Sequence, residues 1–284
     1  MLQNFLIGLR EGLEAALIVG ILIGYLRRIG HTRAIGLMWI GIGIAITVSV
    51  VFGAILTFGP STLTFEAQEA LGGSLSIIAV GFVTWMVFWM AATARNLKGS
   101  LESDLERALE GSAWGLILVG ALSVGREGLE TTLFLWAATR SATSGVAAAW
   151  SAVGAALIGI AVAVVLAWFI TRGLIRINLG KFFTITGGFL IIIAAGVLAY
   201  GIHDLQEAGI LPGLHALAFD VSHAIPPTSW YGTLLKGVFN FSPATTWLEL
   251  IAWWAYVGIV MPIFIARVRH RPRTPAPAPV PATA

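Results

Sequence analysis

The chain has 284 residues, 57% of them hydrophobic and 11% charged, with a formal net charge of +3. An ordinary soluble domain carries about a quarter charged residues, so the composition excludes that class and points to a membrane protein. The sequence contains no cysteine, which excludes disulfides, thiolate metal sites and thiol catalysis and leaves oxygen or imidazole as the only ligands for a metal.

Apolar runs recur that are long enough to cross ~30 Å of hydrocarbon as helices. They predict helices over roughly 3–26, 34–58, 70–94, 113–138, 146–171, 179–203 and 244–267, which makes seven crossings. The first run carries charges in its middle and has neither a basic leader nor a small-residue cleavage site, so it is expected to stay in the protein. Between the third and fourth runs, Glu102, Asp104, Glu106, Arg107 and Glu110 predict a short solvated helix. The connection over 208–243 holds His215, Asp220 and His223, which read as surface and capping residues because their spacing matches no helical metal motif. Pro226-Pro227 and scattered glycines there predict a structured loop with short helical pieces, suited to docking an accessory protein. The tail from Arg271 is rich in Pro and Ala and is expected to be disordered.

The basic residues orient the chain. Most of the 17 Lys and Arg, from Arg27 and Arg28 through Arg107 and Arg172 to Arg273, fall on one side of the spans, and only Arg140 and Lys236 fall on the other. The basic side is cytoplasmic, which puts the N-terminus outside and the C-terminus inside. Topology therefore accounts for the net positive charge, and no nucleic-acid partner is needed.

Two internal similarities share nearly one offset. Arg-Glu-Gly-Leu-Glu occurs at Arg10–Glu14 and again at Arg126–Glu130, and Leu71–Gly81 resembles Thr186–Gly196. The implied unit is three helices, and an odd number forces the second copy to enter from the opposite side. The expected organisation is a first repeat over 1–95, a cytoplasmic linker over 96–112, an inverted second repeat over 113–207, the outer loop over 208–243, a seventh helix over 244–268 and the tail over 269–284. Transporters built this way hold their substrate near the midplane, where the repeats meet.

Arg10, Glu11, Glu14, Arg126, Glu127 and Glu130 all fall inside predicted spans. Each charge at the bilayer centre costs about 2.5–3.5 kcal/mol, so six unpaired charges would cost ~15–20 kcal/mol, more than the ~5–15 kcal/mol stability of a typical domain. These residues must therefore face the bundle interior and pair. Within each motif the two Glu lie about 60° apart on one helix face, ~4.5 Å along the axis, so both can approach one ion. Four carboxylates against two guanidinium groups leave two negative charges for a cation to balance. Carboxylates suit Mg, Ca, Mn or oxidised iron rather than copper(I). Gly12 and Gly128, lying between the acids, let another helix come close. A purely structural role, Arg-Glu bridges pinning two helices, fits a single motif better than a duplicated one with carboxylates in excess.

These motifs, in the first and fourth of seven helices, resemble the oxidase-dependent iron permeases, which comprise the fungal high-affinity iron permease and the bacterial EfeU subunit of an elemental-iron uptake system. The resemblance covers residues 1 to about 267. It implies that Glu11, Glu14, Glu127 and Glu130 bind iron in transit, with Arg10 and Arg126 as electrostatic partners. It also implies an outer Asp-x-x-Glu element after helix 6, matched here by Asp204-Leu205-Gln206-Glu207. The implied partner oxidises or delivers iron outside the membrane: a multicopper ferroxidase, or cupredoxin-like and haem peroxidase subunits. The compact loops favour the bacterial inner membrane as the location.

Other acids join this reading. Glu66 and Glu69 precede the third span on the outside, where they either favour the helix N-terminus or gather cations with Asp204 and Glu207. Glu249, expected about two turns into the seventh span, is a ligand, a proton acceptor or the partner of an Arg, and His203 is a further accessory candidate. Trp85, Trp89, Trp253 and Trp254 read as packing residues or interfacial anchors. Two rivals remain. An intramembrane di-metal oxidase would call for Glu-x-x-His, which the five histidines do not supply. A carrier of manganese or another hard divalent ion would use the same carboxylates. The expectation is a permease importing iron, ferrous or ferric, and not an enzyme.

Overall fold

A computed structural model of the chain describes residues 2–269 apart from 60–62, 94–96, 111–112, 143–145, 175–178, 227–228, 230, 233–234 and 237–240. The helices are α1 (Leu2–Arg28), α2 (Thr32–Phe58), α3 (Phe65–Thr93), α4 (Leu97–Glu110), α5 (Ala113–Ala142), α6 (Val146–Thr171), α7 (Leu179–Glu207) and α8 (Trp247–Arg269). Two short strands, β1 (Leu217–Asp220) and β2 (Ala244–Thr246), pair antiparallel ahead of α8, with a bulge between Leu217 and Phe219. The tail beyond Arg269 lies outside the described residues.

Among the described residues five helices, α2, α3, α6, α7 and α8, are long and apolar enough to cross a membrane. α1 and α5 have 27 and 30 residues and differ from that set by the charges of their motifs. Large apolar side chains point outward in quantity, Val50, Ile55, Trp150 and Val165 among them, each more than half exposed. In water such a surface would drive association, whereas hydrocarbon solvates it.

Packing pairs α1 chiefly with α6, α2 with α5 and α3 with α7, and α1 also runs beside α5. Three apolar cores hold the bundle. The first gathers Ile7, Val80, Val83, Phe134, Leu190 and Phe264 with their neighbours; the second gathers Ile18, Leu22, Met38, Leu105 and Val124; the third is α1 against α6 around Leu13 and Ala163. Along α1, Ile7 of the first core precedes Glu11 by one turn, and Ile18 of the second follows Glu14 by one turn. Along α5 the order is reversed, with Val124 before Glu127 and Phe134 after Glu130. The motifs therefore sit at the seam between two apolar cores.

Several boundaries differ from the expected ones. α3 begins five residues earlier, at Phe65, and α7 continues to Glu207, so Glu66, Glu69, Asp204 and Glu207 are helical rather than loop residues. α7 ends where Gly209 (φ 72°) caps it, with the Gly209 N–H on Gln206 O and the Ile210 N–H on Leu205 O, a left-handed cap that glycine adopts without strain. α8 starts three residues later than expected because Ala244–Thr246 pair with β1. Glu249 consequently lies in the first turn of α8, not two turns in. The acidic linker does form a helix, but its Leu101, Leu105 and Ala108 stripe is buried in the second core, so it is docked rather than fully solvated.

Candidate metal centre

Glu11 and Glu14 project from one face of α1, and Glu127 meets them from α5. One carboxylate oxygen from each lies within 4.8 Å of the others, and all three residues are buried. Arg10, 1% exposed, sits among them: its Nη1 donates to Glu11 Oε1 at 2.8 Å, and its Nη2 lies 3.3 Å from Glu14 Oε1. Three carboxylates against one guanidinium leave two negative charges in excess. Glu11 Oε2 and Glu127 Oε2 have no hydrogen-bond donor among the described residues. Burying such an oxygen unsatisfied costs about 1–3 kcal/mol or more when charged, and a cation bridging the three acids would remove that penalty. An all-oxygen donor set of this kind takes hard divalent or trivalent ions.

The second motif is arranged differently. Glu130 is buried but lies outside the three-acid group; Arg126 Nε donates to its Oε1 at 2.9 Å and is at ion-pair distance, 3.9 Å, from Glu127 as well. The guanidinium of Arg126 lies over the ring of Trp89, 3.7 Å from its centroid, and 5.2 Å from that of Trp85. Trp85 and Trp89 are one helical turn apart, which places both rings on one side of α3. That spacing is the sequence signal for this contact, and interfacial anchoring alone does not describe it.

Gly12 and Gly128 permit the close helix packing around the motifs. A Cβ at Gly12 would come within 3.0–3.1 Å of Ile160 and Ala163 on α6, and one at Gly128 would strike the Ser49 hydroxyl on α2. Each motif helix thus packs closely against another helix beside its acids.

A second acidic group lies at the far end of α3 and α7, where Glu69, Asp204 and Glu207 bring carboxylate oxygens within 4.8 Å of one another. Glu66 is exposed and stands apart from it. Asp204 is buried, Glu69 half-buried, and the Glu207 side chain 36% exposed. His203 leans on this group, with Nε2 3.5 Å from Glu207 and Nδ1 2.9 Å from Glu249 Oε1. Among the described residues the charged-group partner of Glu249 is therefore a histidine rather than an arginine. Behind them the Thr246 hydroxyl lies 3.1 Å from both Glu249 Oε1 and Gln206 Oε1, and the Glu249 N–H donates back to it at 3.3 Å. Thr-x-x-Glu at the start of α8 is a capping-box sequence, readable once the helix start is known; its N-cap half is made by the Glu249 N–H on the Thr246 hydroxyl, while the Glu249 carboxylate takes that hydroxyl and His203. Neither hydropathy nor motif spacing marks Gln206 or Thr246 by itself.

Part of the interior between the two groups is apolar, although Gln3, Asn4 and Ser76 are buried polar residues on α1 and α3. Ile7, Val80, Val83, Phe134, Leu190 and Val197 line a cavity of about 20 Å³, room for about one water molecule and without polar partners to hold it. In the connection between α7 and α8, His215, Asp220 and His223 are exposed and form no ligand group among the described residues. Asp220 instead accepts the Ser222 N–H at 2.9 Å and the Ser222 hydroxyl, and these bonds hold its carboxyl below the usual range.

The family model described as the iron permease FTR1 family matches residues 1–270. The chain is 38% identical over 268 residues to the ferrous iron permease EfeU of Escherichia coli O6:K15:H31, covering 93% of this chain and 95% of that one. It is 38% identical over 260 residues to the ferrous iron permease EfeU of Shigella sonnei (90% and 92%) and 32% identical over 270 residues to that of Yersinia pestis (93% of each). No solved structure matches the chain.

Proposed function

The chain belongs to the iron permease FTR1 family, and from that premise we propose that it imports iron across the plasma membrane, with Glu11, Glu14 and Glu127 as the central ion site. The observation that carries this reading is the convergence of those three buried carboxylates around a single guanidinium, with two negative charges left over. Relatives named as ferrous iron permeases support a divalent ion, which would neutralise that excess.

In this proposal α1 and α5 also span, giving seven crossings, and residues 1–95 and 113–207 are inverted repeats joined by the cytoplasmic α4 linker. The packing supports it. An inverted duplication maps α1, α2 and α3 onto α5, α6 and α7, and under that mapping the α1–α6 contact becomes α5–α2, while α3–α7 and α1–α5 map onto themselves. These are among the main packing contacts of the bundle. The outer end would be that of Glu69, Asp204 and Glu207, where acids gather cations at the mouth, with Glu130, Arg126, His203 and Glu249 positioning the ligands. An ion moving inward then has to cross the apolar layer around Ile7 and Phe134, so transport requires that layer to open and the central site to face the two sides in turn. An iron-oxidising or iron-delivering partner, cupredoxin-like and haem peroxidase subunits or a multicopper ferroxidase, would meet the outer loop 208–243.

The test is radio-iron uptake by an uptake-deficient host, comparing ferrous, ferric and manganous ions. Wild-type protein should favour ferrous iron, and Glu14→Ala and Glu127→Ala should abolish uptake while the protein remains in the membrane. Undiminished uptake in both variants would rule out the central site, and equal uptake of manganese would reassign the ion.

A further inference from the structure

Two identical pentapeptides place their arginines differently, and the residues around them account for the difference. Arg10 lies between Glu11 and Glu14 and touches both. Arg126 has the same two choices one and four residues ahead, yet it stands 2.9 Å from Glu130 and 3.9 Å from Glu127, its guanidinium over the ring of Trp89. Cation–π attraction is strongest where water is excluded, and α3 presents this ring in the half-buried wall beside α5.

We propose that Trp89, backed by Trp85, is a positioning residue that sets the charge of the central ion site by holding Arg126 in its hydrogen bond to Glu130, which keeps it at the edge of ion-pair distance from Glu127. The proposal rests on the central site being where the ion binds. With Arg126 held, Glu127 joins Glu11 and Glu14, and the group carries two negative charges beyond Arg10. With Arg126 released, the guanidinium closes the remaining distance to Glu127, from 3.9 Å, so the excess on the three acids drops to one and the uncompensated charge passes to Glu130, outside that group. The aromatic ring thereby makes the site fit for a doubly charged ion, although it touches no ligand oxygen itself.

The experiment is equilibrium dialysis of ferrous iron against the full-length protein in lipid nanodiscs, following the component of binding that Glu127→Gln removes. Trp89→Leu should weaken that component about tenfold, and Trp89→Phe, which keeps a ring face, by less than about threefold. In Arg126→Gln protein the same Trp89→Leu change should add nothing, because the residue acts through Arg126; a packing defect would weaken binding in both backgrounds. Trp89→Met serves in place of Leu if the latter does not reach the membrane. Unchanged binding in the ringless variant, or the same loss with Arg126 already removed, would overturn the proposal. If Glu127→Gln removed no binding, the central site would fall and this proposal with it, an outcome distinct from either of the others.

Discussion

The central acidic group and the one that the proposal places on the outer side each bring three carboxylates within 4.8 Å, and they differ in what surrounds them. Glu11, Glu14 and Glu127 are buried around Arg10 at the seam of two apolar cores, whereas the outer group is open to solvent through Glu207 and leans on His203. Water reaches Glu207 and screens its charge, while Asp204 beside it is as buried as the central acids. The central group has no such screening, and its charge must be balanced by fixed partners and by the ion itself. The same ligand type therefore suits capture in one place and obligatory binding in the other.

That contrast is broken or sharpened by substitutions, beginning with the central acids. Glu14→Ala and Glu127→Ala should each cut ferrous uptake at least about 100-fold, since each removes one of three ligands and half of the excess charge. Equal losses from central and outer substitutions would erase the distinction. Arg10→Ala should act on stability as well: removing one side of a buried ion pair costs ~3–5 kcal/mol, to be read as a lower midpoint of thermal unfolding in detergent. Arg126→Ala should lower that midpoint less, because its side chain is 29% exposed. Asp204→Ala should raise the half-saturating iron concentration about tenfold and leave the maximal rate within about twofold, the signature of weakened capture. Glu66→Ala should change either parameter by less than about twofold, because exposed acids away from a site contribute little.

Much of this is legible in the sequence because membranes restrict the options. Charge inside apolar runs marks Glu11, Glu14 and Glu127, and helical spacing alone brings the first two onto one face. Which acids of the second motif join them is not legible. Glu127 and Glu130 are equivalent on their own helix, and the choice falls to Trp89, a residue on another helix whose ring engages Arg126. Hydropathy puts the outer acids in loops because it ends at the last apolar residue, while α3 and α7 extend a turn or more past it. It misplaces Glu249 for a similar reason: the β1–β2 pairing takes up residues that are apolar enough to start a helix and delays α8 to Trp247. Hydropathy registers burial in lipid, and it carries no information on contacts between elements far apart in the chain.

The central claim is that one ion is held jointly by α1 and α5. Anomalous diffraction at the iron edge from crystals soaked with ferrous ion tests it most directly. A peak about 2.0–2.3 Å from carboxylate oxygens of Glu11, Glu14 and Glu127 together is the result expected. A peak confined to Glu69, Asp204 and Glu207, with no density among the three central acids at saturating iron, would contradict it.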